Sequence, residues 1–272
     1  MKRLNKVYTI LIFLFLYLPM VVLIVASFNT GKDITDFEGF TLSRYSELFH
    51  DRTLLPLLMN SLKVALISSI IATVMGTAAA IGIRKMSPKI RSFVLGVTNI
   101  PMTNPDIVTG VSLSLLFTFL GVLLRIEEVL TFWTLLIAHV TFNLPYVILN
   151  IMPKLNQMDP ALQEAAMDLG CTPMKAFFKV TIHEIMPGII SGAIMAFTMS
   201  LDDFVISYFV YGPSFITLPV EIYNYTKKPL QPKIYALFTL LFVLIFVMMV
   251  LMNIFQARGE KRKTDQRGRG TI

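Results

Sequence analysis

Six stretches of mostly apolar residues, each close to twenty long, constrain this chain more than anything else in it. They run over 7–28, 62–83, 100–124, 129–151, 188–211 and 234–255. A helix of roughly 20 such residues crosses the ~30 Å hydrocarbon core of a bilayer. Lipid supplies no hydrogen bonds to the backbone, so spans of this kind must be helical. The expectation is an all-α, polytopic membrane protein with six transmembrane helices in one domain over 1–272. Composition agrees: 55% of residues are hydrophobic, 15% are charged, and the mean hydropathy is +0.68. Soluble domains carry about 25% charge. The first stretch follows Lys2, Arg3 and Lys6, as a signal peptide would. Its apolar run is too long for a signal core and no small-residue cleavage site follows, so it reads as a retained span.

The net charge of +7 is then a question of topology rather than of nucleic-acid binding. With both termini inside, sixteen lysines and arginines face the cytoplasm and eight face out. The bias is strongest at the ends, in Lys2, Arg3 and Lys6 and in the tail from Arg258 to Arg269. This favours an N-in, C-in arrangement. The outside set is Lys32, Arg44, Arg52, Lys63, Arg125, Lys227, Lys228 and Lys233. The Gly-rich basic tail, 258–272, suits an anionic lipid surface. Cys171 is the only cysteine, which excludes an intrachain disulfide and a cysteine-rich metal site. His50, His139 and His183 lack metal-ligand spacing, and no nucleophile motif or clustered reactive set is present. Metal sites, catalytic residues and enzymatic activity are therefore not expected on this chain.

The longest polar interruption lies between the fourth and fifth stretches, at about 156–187, on the cytoplasmic side in this orientation. Asp159-Pro160 reads as a helix start, an N-cap followed by proline in the first turn. Leu162, Ala165, Ala166 and Leu169 recur at i, i+3, i+4 and i+7, giving one apolar face. Gly170 suits the left-handed cap that ends such a helix. Thr172-Pro173 repeats the start signal, and Ala176, Phe177 and Val180 stripe a second helix. Pro187, in Ile185-Met186-Pro187, marks the entry to the fifth span. Periodicity alone also permits a linker whose helices pack back on the protein.

The order of residues adds more. Glu164, Ala165, Ala166 and Gly170, with Val180 and Ile182 further on, resemble the EAA loop of ABC-importer permeases. His183 stands where that family has proline, a departure that bears on how the second helix exits. The resemblance implies the type I (MetI-like) permease fold and a coupling helix that docks in a cleft of a separate ATPase subunit. Glu164, Ala165, Ala166, Asp168 and Gly170 would then be the coupling residues. The chain has no GxxxxGK[ST] phosphate loop. ATP and Mg would therefore bind the partner ATPase, and this chain would carry no cofactor.

Asp202-Asp203 lies about 14 residues into the fifth stretch, or roughly 21 Å along a helix. A carboxylate at such depth costs at least about 2.5–3.5 kcal/mol unless it meets a partner or a wet cavity. Neighbouring helical residues point about 100° apart, so both acids line one pathway equally only if the helix is broken there. One reading makes them a structural pair; the other makes at least one a pathway acid for a cationic solute. Asp106, near the start of the third stretch, is a weaker candidate that also suits a helix cap. Glu221 and Tyr223 fall in the last outside loop. Tyr208 and Tyr211 follow the acids, and an ammonium group over such rings gains about 0.5–2 kcal/mol. Most other aromatics, including Trp133, suit interfacial anchoring or packing. His139 reads as a hydrogen-bonded packing residue rather than a proton relay.

Further runs resemble the spermidine/putrescine (PotC-type) branch of the same permeases: Gly39-Phe-Thr-Leu42 with Tyr45, Asn60-Ser61, Asn104 to Gly110, and Met199 to Phe204. That likeness spans nearly the whole chain and implies polyamine as the solute. It also implies a homologous second permease, two ATPase subunits and an external solute-binding protein as partners, in the bacterial inner membrane. An ABC permease for another small solute is the alternative. An ion-coupled secondary transporter is a poorer fit, because six spans show no internal repeat.

Overall fold

The computed structural model describes residues 2–31, 36–227, 233–247 and 249–250. The expected positions of Lys32, Lys228, the end of the sixth stretch (251–255) and the basic tail (258–272) lie outside the described residues. The described residues are helical apart from turns and short irregular segments, with two isolated bridges, Asn29 with Phe40 and Gly212 with Phe215. Among the described residues, five helices are long and apolar enough to cross a membrane, and Lys233–Val247 is a shorter apolar helix.

The chain divides into two compact units. One holds the described parts of Met1–Leu57 and Ile222–Met248, the other those of Leu58–Glu221 and Met249–Ile272. In the first unit, α1 (Lys2–Ser27) leads into a turn closed by Thr30 N–H to Gly39 C=O (2.9 Å) and Thr41 N–H to Phe28 C=O (2.8 Å). Phe28 stacks on Phe40, and the Tyr45 hydroxyl of α2 (Ser43–His50) meets Ser27 Oγ at 2.7 Å. The 39–45 run is thus the plug of this turn. Asp51 accepts from the Thr53 and Leu54 amides and pairs with Lys233 Nζ at 2.7 Å. Burial pushes its pKa up, but the Lys233 bond and the Thr53 and Leu54 donors outweigh it and hold the carboxyl well below the usual carboxylate range.

The second unit is a bundle built around α6 (Phe132–Gln157), the most enclosed of the long helices. Thr131 and Thr134 start α6 with a reciprocal capping box. Against it pack α3 (Leu54–Arg84) and α9 (Ile182–Asp202) through Ala72, Ala80, Val147, Ile151, Ile185 and Ala196, all fully buried. A second cluster joins Val64, Phe117, Leu135, Phe142, Ile206 and Val210. Between helices in lipid, association depends on close van der Waals fit rather than on burial from water. Gly188 and Gly192, spaced as GxxxG, supply that fit. A Cβ on Gly188 would sit 3.0 Å from the Asn150 carbonyl oxygen, and one on Gly192 3.3 Å from Val147 Cα.

Two expected spans are each broken. The third stretch does not run from residue 100. Residues up to Thr103 belong to α4 (Pro88–Thr103), a helix not anticipated, and α5 (Asp106–Leu124) begins after Asn104-Pro105. Proline pushes the residue before it out of the helical region, and Asn104 is extended, with ψ 139°. The fifth stretch parts at Asp203-Phe204 into α9 and the short α10 (Val205–Val210). Pro187 does not mark an entry: it lies inside α9. Glu221 and Tyr223 lie not in a loop but on α11 (Leu218–Thr226). Asn60 and Ser61 fasten the segment before it, through Ile216 C=O (3.1 Å) and Leu218 N–H (2.8 Å).

Candidate functional site

The polar interruption folds as two capped helical pieces. Asp159 Oδ1 accepts from Ala161 N–H at 3.0 Å, opening α7 (Ala161–Asp168). At its end, Gly170 has φ +87°; its N–H bonds to Met167 C=O (2.9 Å) and the Cys171 N–H bonds to Ala166 C=O (3.0 Å). These two bonds form a Schellman turn. Thr172 Oγ1 then caps α8 (Pro173–Ala176) through Lys175 N–H. A π-helical turn, Phe177–Thr181, follows and runs directly into α9. From Pro173 to Asp202 the chain is one 30-residue helical path, so the second loop helix and the fifth span are continuous. His183 sits inside this path, and the helix needs no proline at that place to continue.

No residue of α7 is buried. The apolar face lies open: Leu162 is 45% exposed and Leu169 88%. Glu164, Ala165 and Asp168 are exposed with them, while Ala166 is half-buried. Met174 and Phe178 continue the open apolar surface. Behind α7 is a cavity of about 390 Å³, lined among others by Arg84, Lys85, Leu155, Gln163, Glu164 and Phe177. The linker alternative, in which both helices pack back on the bundle, does not describe α7. The five residues named for coupling stand on one exposed helix and its cap.

The second candidate region is the gap between α9 and α10. Asp203 is extended there, with ψ 118°. Its Oδ1 accepts from Ile206 N–H at 3.2 Å and its Oδ2 from Ser207 N–H at 2.8 Å. His139 Nε2 is 3.6 Å from Asp203 Oδ2, and the Asp203 side chain is 7% exposed. Asp202, one residue earlier, is exposed. The two acids therefore divide: Asp203 is buried and bonded to the backbone of α10, and Asp202 is exposed. Tyr208 and Tyr211, both half-buried, follow on α10 with ring centroids 6.3 Å apart, and Tyr208 also packs on Phe204. Asp106 is exposed in the first turn of α5. One turn on, a Cβ on Gly110 would sit 3.0 Å from Phe209 Cδ2 and 3.3 Å from Ile206 Cα, both on α10. His139 is hydrogen-bonded and packed, as expected. Ser68, Asn143, Ser200 and Ser207, all buried around it, were missed. Their signal was small polar residues inside apolar runs, which in lipid must find partners. Among the described residues no cluster of three or more metal-ligating side chains occurs.

Residues 72–264 match the family described as binding-protein-dependent transport system inner membrane component. The chain is 38% identical over 256 residues to the putrescine transport system permease protein PotI of Escherichia coli K12, covering 92% of this chain and 90% of that protein. It is 37% identical over 230 residues to the spermidine/putrescine transport system permease protein PotC of the same strain, covering 85% of each. Among solved structures it resembles a chain of a bacterial ABC transporter involved in import of the acidic polysaccharide alginate, with TM-score 0.71, 17% identity and 96% coverage of both chains. It also resembles a chain of the MetNI methionine ABC transporter, with TM-score 0.55, 18% identity and coverage of 76% and 93%. The structural likenesses establish the fold; the family match and the sequence relatives establish the kind of protein. The chain belongs to the binding-protein-dependent transport system inner membrane components: it is a transport permease subunit, not an enzyme.

Proposed function

We propose that this chain is a permease subunit of an ATP-driven importer of polyamines, forming half of the solute pathway. The observation that carries the substrate is the identity of 37–38%, over most of the chain, to two permeases named for putrescine or spermidine/putrescine. The exposed Asp202 followed by Tyr208 and Tyr211 is chemistry suited to a flexible polycation, a carboxylate for the charge and aromatic faces for the ammonium. A homologous second permease completes the pathway, and a solute-binding protein delivers from outside. Two ATPase subunits, holding ATP and Mg, dock one at each EAA-type loop. Both termini lie in the cytoplasm, and Glu164, Ala165, Ala166, Asp168 and Gly170 carry the contact. The open face of α7, with small residues at 165 and 166, supports that role because a partner can approach its backbone closely.

Uptake of labelled putrescine and spermidine by vesicles containing the complete transporter tests this reading. Import should require ATP and survive an uncoupler. Asp202→Asn should weaken it by roughly 10- to 100-fold in KM, since a hydrogen bond to a charged group contributes about 1.5–3 kcal/mol. Uptake that needs no ATP and collapses with an uncoupler would overturn the ABC mechanism. ATP-driven uptake of another solute, indifferent to polyamines, would overturn only the substrate.

A further inference from the structure

Where a helix breaks inside a bundle, freed backbone donors need acceptors that lipid does not provide. In an unbroken helix the Ser207 N–H would bond to the Asp203 carbonyl. Here it bonds to the Asp203 carboxylate instead, and so does Ile206 N–H. A side chain from another helix grips both sides of the gap. His139, on α6 and 1% exposed, places Nδ1 2.5 Å from Ser200 Oγ on α9 and Nε2 3.0 Å from Ser207 Oγ on α10. Ser200 is also held by Ser68 Oγ on α3 at 3.0 Å, and Asn143 Nδ2 reaches Ser68 Oγ at 3.4 Å. Four helices thus meet in one buried polar knot centred on the gap. Asp203 spends both oxygens inward, which leaves its neighbour to face out.

We propose that His139 and Asp203 are positioning residues that staple the chain open between α9 and α10 and so hold the Asp202 carboxylate toward open space. Neither touches solute. Asp203 acts as a cap, for which the acceptor oxygen matters more than the charge, and His139 acts as a two-sided clasp. Were the clasp released, α9 and α10 could join as one helix, with Ser207 N–H returned to a backbone partner and Val205 and Ile206 brought onto the face of position 202, three and four residues on. The role of Asp202 toward polyamine rests on the function proposed above; the staple itself stands on the hydrogen bonds.

Accessibility at position 202 tests the staple without solute. In the complete transporter, with Cys171→Ser to remove the native thiol, Asp202→Cys should react with a membrane-impermeant cationic methanethiosulfonate. Adding His139→Leu or Asp203→Leu should slow the reaction about tenfold or more, because each removes at least one hydrogen bond that holds the gap. Adding Asp203→Asn should slow the reaction less than Asp203→Leu does, since the Asn carbonyl oxygen keeps one of the two acceptors. If His139→Leu lowers the amount of protein in the membrane, Ser207→Ala is the substitute: it deletes one hydroxyl and should also slow labelling. An unchanged rate in the leucine variants, or in Ser207→Ala where it stands in, overturns the staple; equal slowing by Asp203→Asn and Asp203→Leu overturns the cap role. A transporter that proves to carry another solute leaves these labelling results intact, so failure of the staple and failure of the polyamine reading are distinguishable.

Discussion

Gly170 sits in the left-handed region at φ +87°, and nothing lies within 4 Å of where its Cβ would be. Space is therefore not what requires glycine there; the backbone is. Holding a side chain in that region costs about 1–3 kcal/mol, most for a β-branched one. Gly170→Val should reset the angle between α7 and α8 while leaving every span untouched. The protein should insert at its normal level, yet ATPase co-purification and ATP-driven uptake should fall severalfold. Gly170→Asn should keep most of both, because Asn tolerates the left-handed turn. Normal uptake by the valine variant would show that the turn does not matter to coupling. This glycine was legible in the sequence because its requirement is local: a cap signal, an apolar repeat and a second cap signal surround it. Asp203 was not legible in the same way. Its role as a cap depends on a gap that nothing near it announces, and on a histidine 64 positions away in the chain.

At the scale of elements, hydropathy located the long helices because lipid rewards an uninterrupted apolar run. It merged segments wherever a polar break was short. Asn104-Pro105 and Asp203-Phe204 each part an apolar run that an averaging window passes over. Pro187 misled in the opposite direction. It removes one backbone donor yet sits within α9, as membrane helices often allow when neighbours re-satisfy the freed carbonyl. The stripe Leu162, Ala165, Ala166 and Leu169 predicted a helix correctly, while leaving open whether the bundle covers it: periodicity reports a face, not what covers it. The GxxxG of Gly188 and Gly192 was available in the sequence and identifies the α6–α9 contact. A Cβ at Gly188 meets a carbonyl oxygen and the Ile151 Cα, which cannot rotate away as a side chain can. Gly188→Val should therefore push α9 off α6 at a cost of about 1–3 kcal/mol, the usual penalty for overpacking. It should lower the melting temperature of the detergent-purified protein. Gly192→Ala, whose nearest neighbours are 3.3 Å and beyond, should lower it less. Equal melting of both variants and the parent would mean that the close α6–α9 approach contributes little.

For the whole molecule, the coupling reading and the orientation stand or fall together. An ATPase in the cytoplasm can reach α7 only if the loop between the fourth and fifth spans is cytoplasmic, which the excess of Lys and Arg at the chain ends favours. The chain contains its own reporter. Cys171 is its single cysteine, lies one residue past the Gly170 turn, and is neither buried nor fully open. A membrane-impermeant maleimide should label it in inside-out vesicles and not in right-side-out ones. Because Cys171 adjoins the exposed Leu169 and Gly170, a docked ATPase should also cover it. Stripping the ATPase should raise the labelling rate, and adding purified ATPase back should lower it again, with ATP altering the degree of cover if the contact moves during the cycle. From the loop, the helical path runs unbroken through Asp202 to the His139 knot, about 45 Å at 1.5 Å per residue. A displacement of α8 therefore has a stiff route to the gap beside the proposed pathway acid. Labelling from the outside alone would reverse the orientation and remove the ATPase from that end of the helix. Labelling from the inside without ATPase protection would keep the orientation and deny the docking.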